Sequence, residues 1–238
     1  MSNSLLLEEL VDEIDYSQIV TEDDAPVDNI LSEREMILLI DALYASWLVN
    51  GKRPQFIALA DVGIFYMPSQ PPVVPDVFVS LDVSLPNEIL STKDKSYFIW
   101  QYGKPPEVVV EIVSNTKGDE LGGKRTKYAQ LGVSYYIVHD PLQYLGETKL
   151  HVFERHGAQF VRMSERWLPS VSLGVTLWQG EYKGMTREWL RWVDEDGNML
   201  LTADEAVEVE RAEAEAARER ADVLAAKLRE LGIDPELL

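Results

Sequence analysis

Residues 107–141 read EVVVEIVSNTKGDELGGKRTKYAQLGVSYYIVHDP, and their patterning decides the fold class. The two flanking runs, EVVVEIVS at 107–114 and SYYIVHD at 134–140, are nearly continuous in β-branched and aromatic residues, which suits strands buried on both faces. Between them Lys124, Lys127, Tyr128 and Leu131 fall at helical spacing, and Gly132 stops the run. Strand, helix, strand is the βαβ unit, whose parallel strands lie in a sheet covered by helices. The chain is therefore expected to be α/β, with central strands covered by helices.

Upstream, Ser32-Glu33-Arg34-Glu35 has the Ser-x-x-Glu spacing of a capping box ahead of MILLIDALYASWL, so a helix is predicted near 32–49. Further strands are predicted in FIALADVGIFYM, VVPDVFVSLDV, SYFIWQY, LHVFERH and QFVRM. From 203 to 231 the chain is rich in Ala, Glu, Arg and Leu, and Gly232 and Pro235 end one long helix. Val207, Ala214, Ala217, Ala221, Leu224, Leu228 and Leu231 keep a 3,4 spacing broken at Glu210. That helix could pair with a copy of itself, fold back on the body or stay solvated. The expected organisation is an acidic arm at 1–28, one α/β domain at 29–185, a connector at 186–202 and the helical tail at 203–238.

With 238 residues and 46% apolar content, the chain can bury one full core. It contains no cysteine, so it has no disulfide framework, thiolate zinc site or cysteine nucleophile. The first residues are too acidic for a signal peptide, and no stretch reaches the ~18 apolar residues of a membrane span, so a cytoplasmic protein is expected. The net charge of −19 opposes loose binding to nucleic acid. Yet residues 1–50 hold 12 acids against one base and residues 186–238 hold 15 against 7, which leaves 14 of each between. The acidity belongs to the ends, and a neutral middle can carry a cationic groove.

Two carboxylates stand out by their setting. Asp76 opens a strand in VVPDVFVS, and Glu111 lies well inside VVVEIVS. A buried carboxylate must be neutralised, ion-paired or bound to a metal. On adjacent strands the two side chains, with a strand carbonyl such as that of Ile112, would present hard oxygen ligands suited to Mg²⁺ or Mn²⁺. Pairing with a neighbouring base is the alternative. Lys124, early in the following helix, could return to the carboxylate end of the sheet and orient a water, or lie solvated on its helix face. Lys117, Arg125 and Lys127 make this the most basic stretch, either a phosphate-contact patch or a soluble face. Asp61 and Asp82 are read as solvent-facing or ion-paired, and His139 as a strand-to-turn residue. His139, His151 and His156 lack zinc spacing. Trp178, Trp189 and Trp192 are read as packing residues. There is no G-x-S-x-G, phosphate-binding Gly loop or G-x-G-x-x-G.

Pro75-Asp76-Val77, Val110-Glu111-Ile112-Val113-Ser114, Glu120-x3-Lys124-x3-Tyr128 and Gly132-Val133-Ser134-Tyr135-Tyr136-Ile137-Val138-His139-Asp140-Pro141 together resemble the Uma-two family of restriction-endonuclease-like proteins, abundant in cyanobacteria. The resemblance covers roughly 30–185 and implies a PD-(D/E)XK nuclease-like fold, a restriction-endonuclease-like mixed sheet flanked by helices. It implies Asp76 and Glu111 as metal carboxylates. Val113 stands where many members of that superfamily place lysine, so the resemblance implies that the lysine has moved to Lys124, with Lys117 as fallback. Glu35 is similar in position to an extra acidic ligand, although the capping box already explains it. The implied activity is Mg²⁺- or Mn²⁺-dependent hydrolysis of DNA, and a homodimer is expected because a two-fold axis places two sites on the two strands and the tail offers a seam. The alternative is a noncatalytic nuclease-fold module that binds protein partners through its acidic arm and C-terminal helix.

Overall fold

The computed structural model describes residues 29–67, 70–86, 95–116 and 118–230. The expected acidic arm at 1–28, the fallback Lys117 and the helix stop at Gly232 and Pro235 lie outside the described residues. In chain order the elements are α1 (Ile30–Ser46), β1 (Phe56–Ala60), β2 (Ile64–Phe65), β3 (Val77–Leu81), β4 (Tyr97–Phe98) and α2 (Ile99–Tyr102). There follow β5 (Val108–Ile112), a π-helical turn (Glu120–Lys124), α3 (Arg125–Leu131), β6 (Tyr135–His139), β7 (Leu150–His156) and β8 (Gln159–Arg162). The remainder is β9 (Trp167–Leu168), β10 (Leu173–Tyr182), β11 (Met185–Val193) and α4 (Ala203–Glu230).

A six-stranded mixed sheet runs β1-β3-β5-β6-β7-β8. The β5–β6 pair is parallel and its other neighbours are antiparallel, so the βαβ unit read from 107–141 sits at the centre. Val108, Val109, Val110, Tyr136, Ile137 and Val138 are 0% exposed, as strands covered on both faces require. Gly132 ends α3 with φ +93°, a left-handed conformation that glycine adopts without penalty.

Alternation along β5 distributes its side chains between two layers. Val108, Val110 and Ile112 pack with Leu39 and Leu43 of α1, Val175 of β10, and Leu190 and Trp192 of β11. Val109 and Val113 face the other way, toward Tyr128 of α3 and toward Ile64 and Tyr97 of the parallel β2–β4 ribbon. The architecture is a mixed sheet flanked by helices, with a long C-terminal helix.

Three local expectations are corrected. Asn29 is the N-cap of α1, accepting from the N–H groups of Leu31 and Ser32, so Ser32 lies one turn inside and the Ser32–Glu35 capping box does not form. SYFIWQY is a strand only at Tyr97–Phe98, after which Ile99–Tyr102 turns into a short helix closed by Gly103 at φ +77°. The stretch 186–202, expected to be a connector, instead supplies most of β11, paired with β10 along Gly174–Val193 to Tyr182–Met185. Trp189, Leu190 and Trp192 of β11 are 0% exposed because both faces of the strand are covered here: Leu190 and Trp192 join the core against β5, and Trp189 packs with Leu38 and Tyr182 on the other face.

Candidate active site

The ladder between β3 and β5 pairs Val77 with Val110, and one further rung sets Asp76 opposite Glu111. The Asp76 carboxylate accepts a hydrogen bond from the Ile112 N–H. In an extended strand the N–H and C=O of one residue point to the same edge, so the Ile112 carbonyl also faces the Asp76 side of β5. Glu111 projects toward α3, where Tyr128 donates its hydroxyl hydrogen to Oε1 at 2.7 Å.

Lys124 completes the cluster because of how the chain turns before α3. Asp119 takes φ +50°, and its carboxylate accepts from the Gly123 N–H at 2.6 Å, capping the π-helical turn. The Gly122-Gly123 pair is what allows this close cap. A Cβ at Gly122 would meet Asp119 Oδ1 at 2.0 Å and one at Gly123 would meet Oδ2 at 2.7 Å. The turn aims Lys124 back over β5, with Nζ 2.8 Å from Glu111 Oε2 and 3.6 Å from Glu120 Oε1.

Burial raises the Glu111 carboxyl above its ordinary value of 4.5, and Lys124 and the Tyr128 hydroxyl only partly offset that. For Lys124 burial acts downward, but the Glu111 charge and hydrogen bond outweigh it and the ammonium is held above 10.5. Burial, then Glu111, pushes the Tyr128 hydroxyl well above 10, so it remains a donor. The Glu111 side chain is 2% exposed whereas Lys124 is 35% exposed. The lysine thus links a buried carboxylate to the surface.

Among the described residues no three His, Cys, Asp or Glu side chains already converge as a cation cage. The donor set nevertheless fits Mg²⁺ or Mn²⁺, because such ions take oxygen ligands and keep several waters. Asp76, Glu111 and the Ile112 carbonyl are the groups that would hold one.

Glu120 is the site residue that the sequence reading missed. It is 5% exposed, its Oε2 has no hydrogen-bond partner among the described residues, and its charge raises Glu111 further. Its spacing to Lys124 was visible, but an acid at a helix start ordinarily serves the helix dipole. Glu35 is not brought to the site. It is 0% exposed on the α1 side of the sheet, with Oε1 accepting from the Leu190 N–H at 2.7 Å and lying 2.6 Å from His139 Nδ1. His139 is the last residue of β6, where the strand gives way to a turn, and it is 0% exposed. Asp61 and Asp82 both sit at positive φ after β1 and β3, in turns. Of the basic patch, Lys127 donates to the Tyr66 hydroxyl at 2.5 Å and Arg125 lies 5.3 Å from the Phe153 ring centre.

No helix among the described residues is long and apolar enough to cross a membrane. No curated protein matches the chain. A solved structure from Anabaena variabilis ATCC 29413, described as "a putative nuclease belonging to DUF820", is similar to it at 14% identity with a TM-score of 0.41. The match covers 68% of this chain and 86% of that one. Residues 25–179, more than half of the chain, match the family model Uma2, described as "Putative restriction endonuclease", and the chain belongs to that family.

Proposed function

We propose that the chain is a metal-dependent endonuclease that hydrolyses DNA phosphodiester bonds at Asp76, Glu111 and Lys124. Family membership supports a nuclease, and the carrying observation is the convergence of Lys124 on Glu111, 13 residues earlier in the chain, beside Asp76. Asp76, Glu111 and the Ile112 carbonyl would hold Mg²⁺ or Mn²⁺, which when bound supplies Lewis-acid stabilisation of phosphoryl charge and acidifies water. Lys124, held charged by Glu111, is not a base at neutral pH. Its part is to donate a hydrogen bond to the attacking water or to a phosphate oxygen. Tyr128 donates its hydroxyl hydrogen to Glu111 Oε1 and so fixes the carboxylate plane.

The test is cleavage of supercoiled and single-stranded DNA with Mg²⁺ or Mn²⁺. Asp76→Ala, Glu111→Ala and Lys124→Ala, each verified as folded, should lose activity. Wild-type protein that neither cuts DNA nor binds a divalent ion would sink the reading. On this proposal the protein works as a cytoplasmic homodimer, two sites related by a two-fold axis cutting both strands. A monomer at micromolar concentration by light scattering would remove the dimer.

A second reading, a noncatalytic module binding protein partners, is favoured by α4. Its 28 residues include none that is buried, and Val207, Val223 and Leu224 are each more than half exposed. Deleting 203–238 with no change in assembly or partner binding would count against it.

A further inference from the structure

Lys124 stands between two carboxylates, only one of which the proposed chemistry uses. Its ammonium bonds Glu111 Oε2 at 2.8 Å and lies 3.6 Å from Glu120 Oε1. Glu120 is nearly as buried as Glu111, yet its Oε2 has no hydrogen-bond partner among the described residues. A buried carboxylate oxygen without a partner is costly and is retained where it has a use. The backbone also holds Glu120 in place. Its carbonyl accepts from the Tyr136 hydroxyl at 2.9 Å, and its carboxylate lies so near Gly118 that a Cβ there would approach Oε1 to 1.8 Å.

The site's charge points the same way. Asp76, Glu111 and Glu120, when ionised, against the single Lys124 leave two negative charges, the number one divalent cation neutralises. Such a cation beside Asp76 and Glu111 would repel an ammonium that shares Glu111 Oε2. We propose that Glu120 is a positioning residue that gives the Lys124 ammonium a second seat, so that a divalent cation entering beside Asp76 and Glu111 hands the ammonium to Glu120 rather than expelling it. The handover rests on the proposed function, since it presupposes that Asp76 and Glu111 take a cation. A swing from Glu111 to Glu120 keeps the lysine at the rim of the site, charged and free to face a phosphate.

The test uses full-length protein with Mn²⁺ affinity and the ¹⁵N resonance of the Lys124 ammonium as readouts, neither of which needs a substrate. In wild type, Mg²⁺ should shift the Lys124 resonance while its protons remain slow to exchange. In Glu120→Gln the resonance should broaden away on Mg²⁺ addition, and Mn²⁺ should bind about ten-fold more weakly for loss of one nearby charge. Glu120→Asp should recover part of both. A Lys124 resonance unmoved by Mg²⁺, or lost from wild type, overturns the handover. So does a Glu120→Gln protein that responds as wild type does, which would leave the metal-dependent reading standing. Wild type that binds no Mn²⁺ overturns both. If Glu120→Gln does not fold, the wild-type titration alone decides.

Discussion

The Lys124 ammonium lies 2.8 Å from a Glu111 carboxylate oxygen, joining the π-helical turn to the middle of a buried strand. Replacing Lys124 by Met would leave a 2%-exposed carboxylate without its counter-charge. Breaking a buried pair from one side costs roughly 3–5 kcal/mol. Because Lys124 is about one-third exposed, solvent screens part of this, and a loss of about 1–3 kcal/mol is expected. Glu111→Gln in the same protein should then restore stability, since no buried charge remains. Urea unfolding of the two single variants and the double measures the coupling. Strictly additive losses would mean that the pair does not bear on stability.

The Glu111–Lys124 pair of the site and the Arg191–Glu205 pair at the start of α4 should show opposite pH signatures. Glu111 has a folded pKa raised above 4.5, so between 4.5 and the raised value the folded state holds the extra proton. Stability contributed at Glu111 therefore falls as pH rises through that window. Glu205 is different. Burial acts upward, but hydrogen bonds from Arg191 and Thr202 outweigh it and hold Glu205 below 4.5. Its contribution is present above 4.5 and is lost as pH falls through the depressed value. Stability profiles of Glu111→Gln and Glu205→Gln against wild type should thus diverge in opposite directions around pH 4.5. Parallel profiles would refute both assignments.

Glu35 and His139 meet at 2.6 Å on the side of the sheet away from Glu111. Glu35→Gln should cost about 1–3 kcal/mol, because a buried group is left poorly paired. Glu35 faces the opposite side of the sheet, bonded to the Leu190 N–H and His139, and cannot reach an ion at Asp76 and Glu111, so Mn²⁺ affinity should fall far less than the roughly ten-fold expected for losing a charge beside the ion. Isothermal titration checks this. A ten-fold drop in Mn²⁺ affinity in a folded Glu35→Gln protein would restore Glu35 as a ligand.

The central βαβ unit and the meeting of Asp76, Glu111 and Lys124 were legible because burial and spacing constrain the same residues. A strand with no polar alternation has to be central, and an acid within it has to find a cation. The Ser32–Glu35 spacing misled because a capping box and a buried Glu one turn into a helix share one pattern; the structure prefers Asn29 as cap and sends Glu35 inward. Glu120 escaped notice because only the π-helical turn reveals that it is buried beside Lys124. The β10–β11 hairpin was obscured by its charges. Glu181, Arg187 and Glu188 interrupt its apolar pattern, and both faces of β11 are covered at Trp189–Trp192, so no period of two separated strand from connector.

The Gly122-Gly123 pair gives a test of how Lys124 is aimed. In an ordinary helix Gly→Ala gains about 1 kcal/mol. At Gly122 the added Cβ would sit 2.0 Å from Asp119 Oδ1, so the Asp119 carboxylate has to leave its bond to the Gly123 N–H. Losing such a cap costs about 1 kcal/mol, and any shift of the turn also draws Lys124 off Glu111. Gly122→Ala is therefore expected to destabilise the protein by about 0.5–2 kcal/mol, the lost cap and a disturbed ion pair outweighing the propensity gain. With Asp119→Ala already present, the obstacle is gone and Gly122→Ala should become neutral or stabilising. Thermal unfolding of the four proteins reads the sign directly. A stabilising Gly122→Ala in the wild-type background would show that Asp119 does not set the turn that aims Lys124.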